Sequence, residues 1–100
     1  MVVADDRQPV GLDLDRPWRL HARVALREEA FGALAYHFGT RRLSFLKSRL
    51  LLDVVAGLER QPSARAACRQ AGVPDADLPV YARALDALAR SGMIEQRVSA

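Results

Sequence analysis

The chain has 100 residues, half of them hydrophobic, and a formal net charge of +3, so it is long enough for one domain with a hydrophobic core. It holds no apolar run near the roughly 20 residues that a membrane span needs, and its first residues lack the basic and apolar segments of a secretory signal. Its single cysteine, Cys68, cannot form an internal disulfide. These features predict a cytoplasmic protein with no membrane partner.

Charge is distributed unevenly along the chain. The first fifteen residues hold four acids against one base, whereas the residues from Arg16 onward hold fourteen bases against eight acids, a net charge near +6. Fourteen of the fifteen bases are arginine, which GC-rich coding explains as well as selection for arginine chemistry does. A basic domain of this size favours an acidic partner: nucleic acid, an acidic peptide or an acidic protein face.

The N-terminal part begins without periodicity and then alternates. Residues 1–17 contain Pro9, Gly11 and Pro17 and are predicted to form a loose N-terminal arm before a single domain over residues 18–100. From residue 20 to 28 an apolar side chain recurs at every second position, which predicts a strand with one polar face. The apolar positions are Leu20, Ala22, Val24 and Leu26.

Two further strands complete a predicted three-stranded antiparallel meander. The alanine and leucine content of residues 31–38 also suits a helix. However, the pair Gly39-Thr40 that follows is typical of a two-residue type II′ hairpin turn, so a strand is favoured. Residues 41–45 then form the third strand, with Leu43 and Phe45 on one face.

Alternation assigns the side chains of the second strand to two faces. Leu34, Tyr36 and Phe38 share one face, where Tyr36 and Phe38 are candidates for the core. The opposite face carries Ala33, Ala35 and His37.

The second half of the chain is predicted to form three helices. The first carries an apolar stripe that repeats every four residues and ends before Pro62, formed by Leu46, Leu50, Val54 and Leu58. Ser63 is a good N-cap for the second helix and Gly72 a good stop. The third begins near Asp75 and ends at Gly92, with a stripe of Tyr81, Leu85 and Leu88. With a short strand within residues 93–98, the fold is predicted to be α+β and winged-helix-like.

Catalytic and metal chemistry are not expected. The two histidines and Cys68 are scattered along the sequence, whereas a zinc site needs about four closely spaced ligands. No glycine-rich phosphate loop or nucleophile elbow is present. We therefore predict no catalytic residue, no metal and no cofactor.

Two binding functions remain open alongside a generic protein-interaction domain. A winged-helix outline with basic charge suggests DNA binding, but Asp75 and Asp77 at the start of the third helix would repel phosphate. The bases cluster instead at Arg41, Arg42, Lys47 and Arg49. Peptide binding fits better, because a meander leaves an unpaired strand edge to which an extended peptide can add. Such an edge could also pair two copies, so a homodimer is a further expectation.

One long run of the sequence resembles a known family. The run Phe31–Lys47, with the sequence FGALAYHFGTRRLSFLK, resembles the peptide chaperones of the mycofactocin pathway. The segments 17–21, 24–27, 67–69 and 71–73 are similar to that family as well, so the resemblance covers roughly residues 16–95.

The resemblance implies more than the periodicity does. It implies a recognition element of ribosomally synthesised, modified peptides, which binds the leader region of a precursor peptide along its third strand and third helix. The partner is then a radical S-adenosylmethionine enzyme, which holds the iron–sulfur clusters itself. Here the implied binding region falls on Arg41, Arg42, Leu43, Ser44, Phe45, Tyr81 and Leu85. His37 is expected either to contact that enzyme or to make a structural hydrogen bond.

Overall fold

The computed structural model describes residues 11–98 and has an α+β fold. A three-stranded antiparallel sheet is followed by three helices and a short C-terminal strand, as the sequence predicts. In chain order the elements are β1 (Trp18–Leu20), β2 (Val24–Glu29), β3 (Gly32–His37), β4 (Leu43–Leu46), α1 (Arg49–Gly57), α2 (Ala64–Ala71), α3 (Leu78–Arg90) and β5 (Ile94–Gln96). Short 3-10 turns lead out of α1 at Leu58–Arg60 and into α3 at Asp75–Asp77.

The strands form two sheets. β2, β3 and β4 make the meander in that order, whereas β1 pairs antiparallel with β5. The prediction of one strand over residues 20–28 is therefore wrong. A turn divides it, because the amide N–H of Val24 donates to the carbonyl of His21 (3.0 Å) and the amide N–H of Arg23 donates to Nδ1 of His21 (3.0 Å).

The β3–β4 connection is longer than the predicted two-residue turn. The amide N–H of His37 donates to the carbonyl of Arg42 (3.0 Å), and the carbonyl of His37 accepts from the amide of Arg41 (2.7 Å). Arg41 adopts a positive φ of 65°. Arg41 and Arg42 thus belong to the loop, and the third strand of the meander is Leu43–Leu46 rather than residues 41–45.

The core lies against the opposite face of β3 from the one expected. Ala33, Ala35 and His37 are buried, whereas Tyr36 is only partly buried and Phe38 is 57% exposed. The helices pack on the inner face, and small alanines let α1 approach β3 closely. Tyr36 and Phe38 are therefore not core residues, and their rings lie on the outer face of the sheet.

The helix termini follow local capping chemistry. The Ser48 hydroxyl accepts from the amide of Leu51 (3.0 Å), so α1 begins at Arg49 and Leu46 belongs to β4. The Ser63 hydroxyl accepts from the amide of Ala66 (3.1 Å), which confirms the predicted start of α2. Gly72, with φ +102°, ends that helix in the left-handed conformation, as predicted.

The segment before β1 packs onto the helices. Leu12 and Leu14 are buried, and the amide of Leu12 donates to the carbonyl of Ala82 in α3 (2.9 Å). The expected arm also includes residues 1–10, which lie outside the described residues, as do residues 99–100. Among the described residues, no helix has the length and apolar character needed to cross a membrane.

Candidate functional site

An apolar groove runs between β4 and α3. It encloses about 500 Å³, and the buried side chains of Leu51 and Leu88 take part in its lining. The strand side contributes Ser44, Phe45 and Lys47. The helix side contributes Val80, Tyr81, Ala84, Ala87 and Ser91.

One long side of the groove is the unpaired edge of β4. Within residues 11–98, β4 pairs only with β3, with Ala35 opposite Ser44 and Ala33 opposite Leu46. Residues opposite each other in an antiparallel pair of strands alternate between hydrogen-bonded and non-hydrogen-bonded pairs. The amide of His37 donates to the carbonyl of Arg42, so the pairs two and four residues further along the ladder are hydrogen-bonded as well. The backbone groups of Ser44 and Leu46 therefore point to β3.

Two residues of β4 turn their backbone groups away from β3. The backbone N–H and C=O groups of Leu43 and Phe45 point to the open edge. The same alternation accounts for the hydrogen bond from the amide of Phe38 to the carbonyl of Arg23 (2.8 Å) on the far side of the meander. The open edge of β4 thus offers two N–H donors and two C=O acceptors to an added strand.

The other side of the groove is one face of α3. Tyr81, Ala84, Leu88 and Ser91 follow one another at spacings of three and four residues, so they form a row along the helix. The small side chains of Ala84 and Ala87 leave the space that the groove occupies. Ser91 ties the helix end to the strand, because its hydroxyl lies 3.2 Å from that of Ser44.

The groove carries positive charge at its rim. Lys47 lines it, and Arg83 lies three residues after Val80 on the exposed side of α3. Neither cation, nor Arg41 or Arg42, forms an ion pair with a carboxylate within residues 11–98. These charges are available to an acidic ligand.

The structure brings together most of the residues singled out from the sequence. Ser44, Phe45 and Tyr81 line the groove, and Leu43 lies on the edge beside them with its side chain 55% exposed. Arg41 and Arg42 lie in the preceding loop.

Leu85 is placed elsewhere. Its side chain is fully buried, in the row of α3 that faces the core together with Leu78 and Ala82. Sequence reasoning put Tyr81 and Leu85 on one stripe because they are four residues apart. Packing, however, decides which residues of a broad apolar stripe are buried and which meet solvent. Ala84 could have been recognised from the sequence as a neighbour of Tyr81 on the same helical face, because it follows Tyr81 by three residues.

Metal-ligating side chains are not clustered in the described part of the chain. Residues 11–98 contain no group of three or more metal-ligating side chains. His37 is buried, and its Nδ1 accepts hydrogen bonds from the amides of Gly39 (3.0 Å) and Thr40 (3.1 Å), which is a structural role. Burial raises the pKa of the Cys68 thiol, so that thiol is a poor nucleophile at neutral pH.

Comparison with known proteins assigns the family. The sequence model of the peptide chaperone MftB family matches residues 17–95. The chain belongs to the peptide chaperone MftB family. This confirms the resemblance carried by the run Phe31–Lys47.

Curated relatives in the family agree. The chain is 58% identical over 84 residues to the peptide chaperone MftB of Mycobacterium ulcerans, covering 84% of this chain and 77% of the relative. It is 58% identical over 85 residues to that of Mycobacterium tuberculosis, covering 85% and 78%, and 49% identical over 87 residues to that of Mycolicibacterium smegmatis, covering 87% and 85%. No solved structure matches the chain significantly. A member of the MftB family has a chaperone role, which is non-catalytic.

Proposed function

We propose that this chaperone binds the leader region of the mycofactocin precursor peptide by strand addition at β4 and presents it to a radical S-adenosylmethionine enzyme in the cytoplasm. The observation that carries the proposal is the coincidence of an unpaired strand edge with an apolar groove of about 500 Å³. An edge alone gives main-chain hydrogen bonds without selectivity, and a groove alone gives no register. The two together are what recognition of an extended peptide requires.

The geometry of an added strand distributes the peptide's side chains. A strand next to β4 would lie about 4.8 Å from it, bonded to the backbone groups of Leu43 and Phe45. Its alternate side chains would then enter the groove towards Tyr81 and Ala84. The remaining side chains would lie on the outer face of the sheet.

Charge supports an acidic ligand. Lys47 lines the groove, and Arg83 is exposed three residues after Val80; neither has an ion-pair partner in the described chain. Exposed charges of this kind raise association rates more than affinity, and salt screens them. An acidic leader would therefore meet the groove faster at low ionic strength.

DNA binding is the weaker alternative for this winged-helix-like outline. The groove face of α3 is apolar, with Val80, Tyr81 and Ala84 where base-reading side chains would be needed. Asp75 and Asp77 are exposed at the start of this helix and place negative charge where DNA binders attract phosphate. No nucleic-acid partner is proposed.

Calorimetric titration with the precursor peptide tests the proposal. We expect saturable binding near one-to-one for the wild type and none to duplex DNA at the same salt. Ala87→Trp fills the groove from an exposed helical position and should weaken peptide binding by about tenfold or more. Ala56→Trp is the matched control, an exposed helical alanine outside the groove, and should bind as the wild type does.

Two results would contradict the proposal. Absence of peptide binding by the wild type, with or without the enzyme, would remove the chaperone mechanism proposed here. Equal affinities for Ala87→Trp and Ala56→Trp would show that the peptide binds outside the groove.

A further inference from the structure

The outer face of the meander carries an apolar patch, of which Phe45 alone also lines the groove. We define it by Phe31, Leu34, Tyr36, Phe38, Leu43 and Phe45. Four of these side chains are about half exposed or more: Phe31 at 48%, Phe38 at 57%, Leu43 at 55% and Phe45 at 62%. Single exposed apolar residues are ordinary, but a contiguous patch of aromatic rings marks an interaction surface.

The patch is continuous and ordered. Strand register places Tyr36 opposite Leu43 and Leu34 opposite Phe45. Its rings contact each other edge-to-face, Phe31 with Phe45 at 5.9 Å and Tyr36 with Phe38 at 5.0 Å between centroids. Rings held in this way lose little conformational entropy when a partner covers them.

The charges at one end of the patch indicate the kind of partner. Arg23, Arg41 and Arg42 are exposed beside Phe38 and Leu43, and none of them has a carboxylate partner within residues 11–98. The carbonyl of Arg23 accepts from the amide of Phe38. His37 fixes the loop that carries Arg41 and Arg42 through hydrogen bonds to Gly39, Thr40, Arg41 and Arg42.

We infer that this outer face is a second docking surface, which binds a folded partner protein presenting an apolar patch bordered by carboxylates. A second copy of this chain is a poorer occupant, because it brings the same surplus of arginine to the contact. The inference rests on the proposed function in one respect: the partner it fits is the enzyme to which the peptide is presented.

The position of the patch couples binding of the peptide to binding of the enzyme. β4 belongs to both surfaces, because its backbone edge faces the groove while Leu43 and Phe45 project from the outer face. A peptide added beside β4 extends the outer face by one strand, and every second peptide side chain joins the patch. The enzyme then meets a surface made of chaperone and peptide together and binds the loaded chaperone more tightly than the free one.

The test uses a double variant with a matched control. Phe38→Ser with Arg23→Glu alters the patch and its charged end without touching the groove. Val98→Ser with Arg60→Glu makes the same kinds of change at exposed positions elsewhere, since Val98 is 94% exposed and Arg60 is exposed. Affinities for the radical S-adenosylmethionine enzyme and for the precursor peptide are measured separately by calorimetry, and the oligomeric state is measured by sedimentation.

We expect the patch variant to bind peptide within about twofold of the wild type and to lose enzyme affinity by about tenfold or more, with the control unchanged. Peptide should tighten enzyme binding to the wild type and not to the patch variant. If the wild type binds enzyme and the patch variant binds it equally well, this inference falls while the proposed function stands. A wild type that binds peptide but no enzyme would overturn both the inference and the presentation step. A wild-type dimer that the patch variant dissociates would assign the face to a second copy.

Discussion

His37 shows how one side chain determines the shape of the loop between β3 and β4. It is 5% exposed, and its Nδ1 is the acceptor for two loop amides. Sequence alternation placed it opposite Tyr36 correctly but could not tell which of the two faces is buried. Of the two roles expected for it, the structure shows the hydrogen-bonding one. The loop that carries Arg41 and Arg42 depends on those hydrogen bonds.

Replacing His37 by leucine tests that role. His37→Leu leaves the part-buried amides of Gly39 and Thr40 without their acceptor, which should cost about 1 kcal/mol of unfolding free energy. His21→Leu is the matched control. Both variants remove the ring contact between the two histidines, whose centroids are 4.4 Å apart, but His21 accepts from only one amide and is more exposed. Chemical denaturation that shows an equal or larger loss at His21 would contradict this assignment.

At the scale of elements, β4 and α3 form the groove together. The edge of β4 supplies backbone groups, and the row through Tyr81 and Ala84 supplies the apolar wall. The sequence predicted a last strand of the meander and Tyr81 on an apolar helical stripe, because alternation and helical spacing are local properties. It misplaced Leu85 because the rotation of α3 about its own axis depends on what the helix packs against.

A proline substitution separates the backbone of β4 from its side chains. Leu43→Pro removes the backbone N–H that points to the open edge. Leu43→Ala keeps that N–H, although it also removes most of the leucine side chain. We expect Leu43→Pro to weaken peptide binding by about tenfold or more, because the ring also obstructs an adjoining strand, while Leu43→Ala changes it little. Titration of both variants, after circular dichroism confirms that each is folded, decides the matter. Similar losses in the two would mean that the side chain, not the edge, binds the peptide.

At the scale of the whole molecule, the first and last segments of the described chain are joined to the rest of the fold. β1 pairs with β5, and the segment before β1 is anchored by Leu12, Leu14 and an ion pair between Asp15 and Arg65 in α2 (2.8 Å). The hydrogen bond and charge of Arg65 lower the pKa of the Asp15 carboxyl below its usual value of 3.8. Because its pKa is lowered in the folded state, ionisation of the Asp15 carboxyl stabilises the folded state relative to the unfolded one.

This ion pair predicts a specific pH dependence. Because the pKa of Asp15 is lower in the folded state than in the unfolded one, its contribution to stability is present above pH 3.8 and is lost as the pH falls through the folded value. Asp15→Asn should therefore lower stability slightly at neutral pH, since both partners are exposed, and the difference from the wild type should vanish in strong acid. Asp53→Asn, at an exposed carboxylate without an ion pair in the described chain, is the control. A difference that persists undiminished at the acid end of a denaturation series would exclude this account.

The sequence by itself determined the features that depend on near neighbours in the chain. Serine caps and terminal glycines set the helix boundaries at Ser63 and Gly72, alternation predicted the meander, and the run Phe31–Lys47 was enough for the family. Tertiary structure alone decided which face of β3 is buried, because both faces carry apolar residues and only the small alanines fit beneath α1. It also decided the pairing of β1 with β5, since contacts between residues more than seventy positions apart leave no periodic trace in the sequence. The aromatic outer face follows from which face of β3 is buried. Because the alanines are buried, Tyr36, Phe38 and Phe45 remain on the outside, where a partner can reach them.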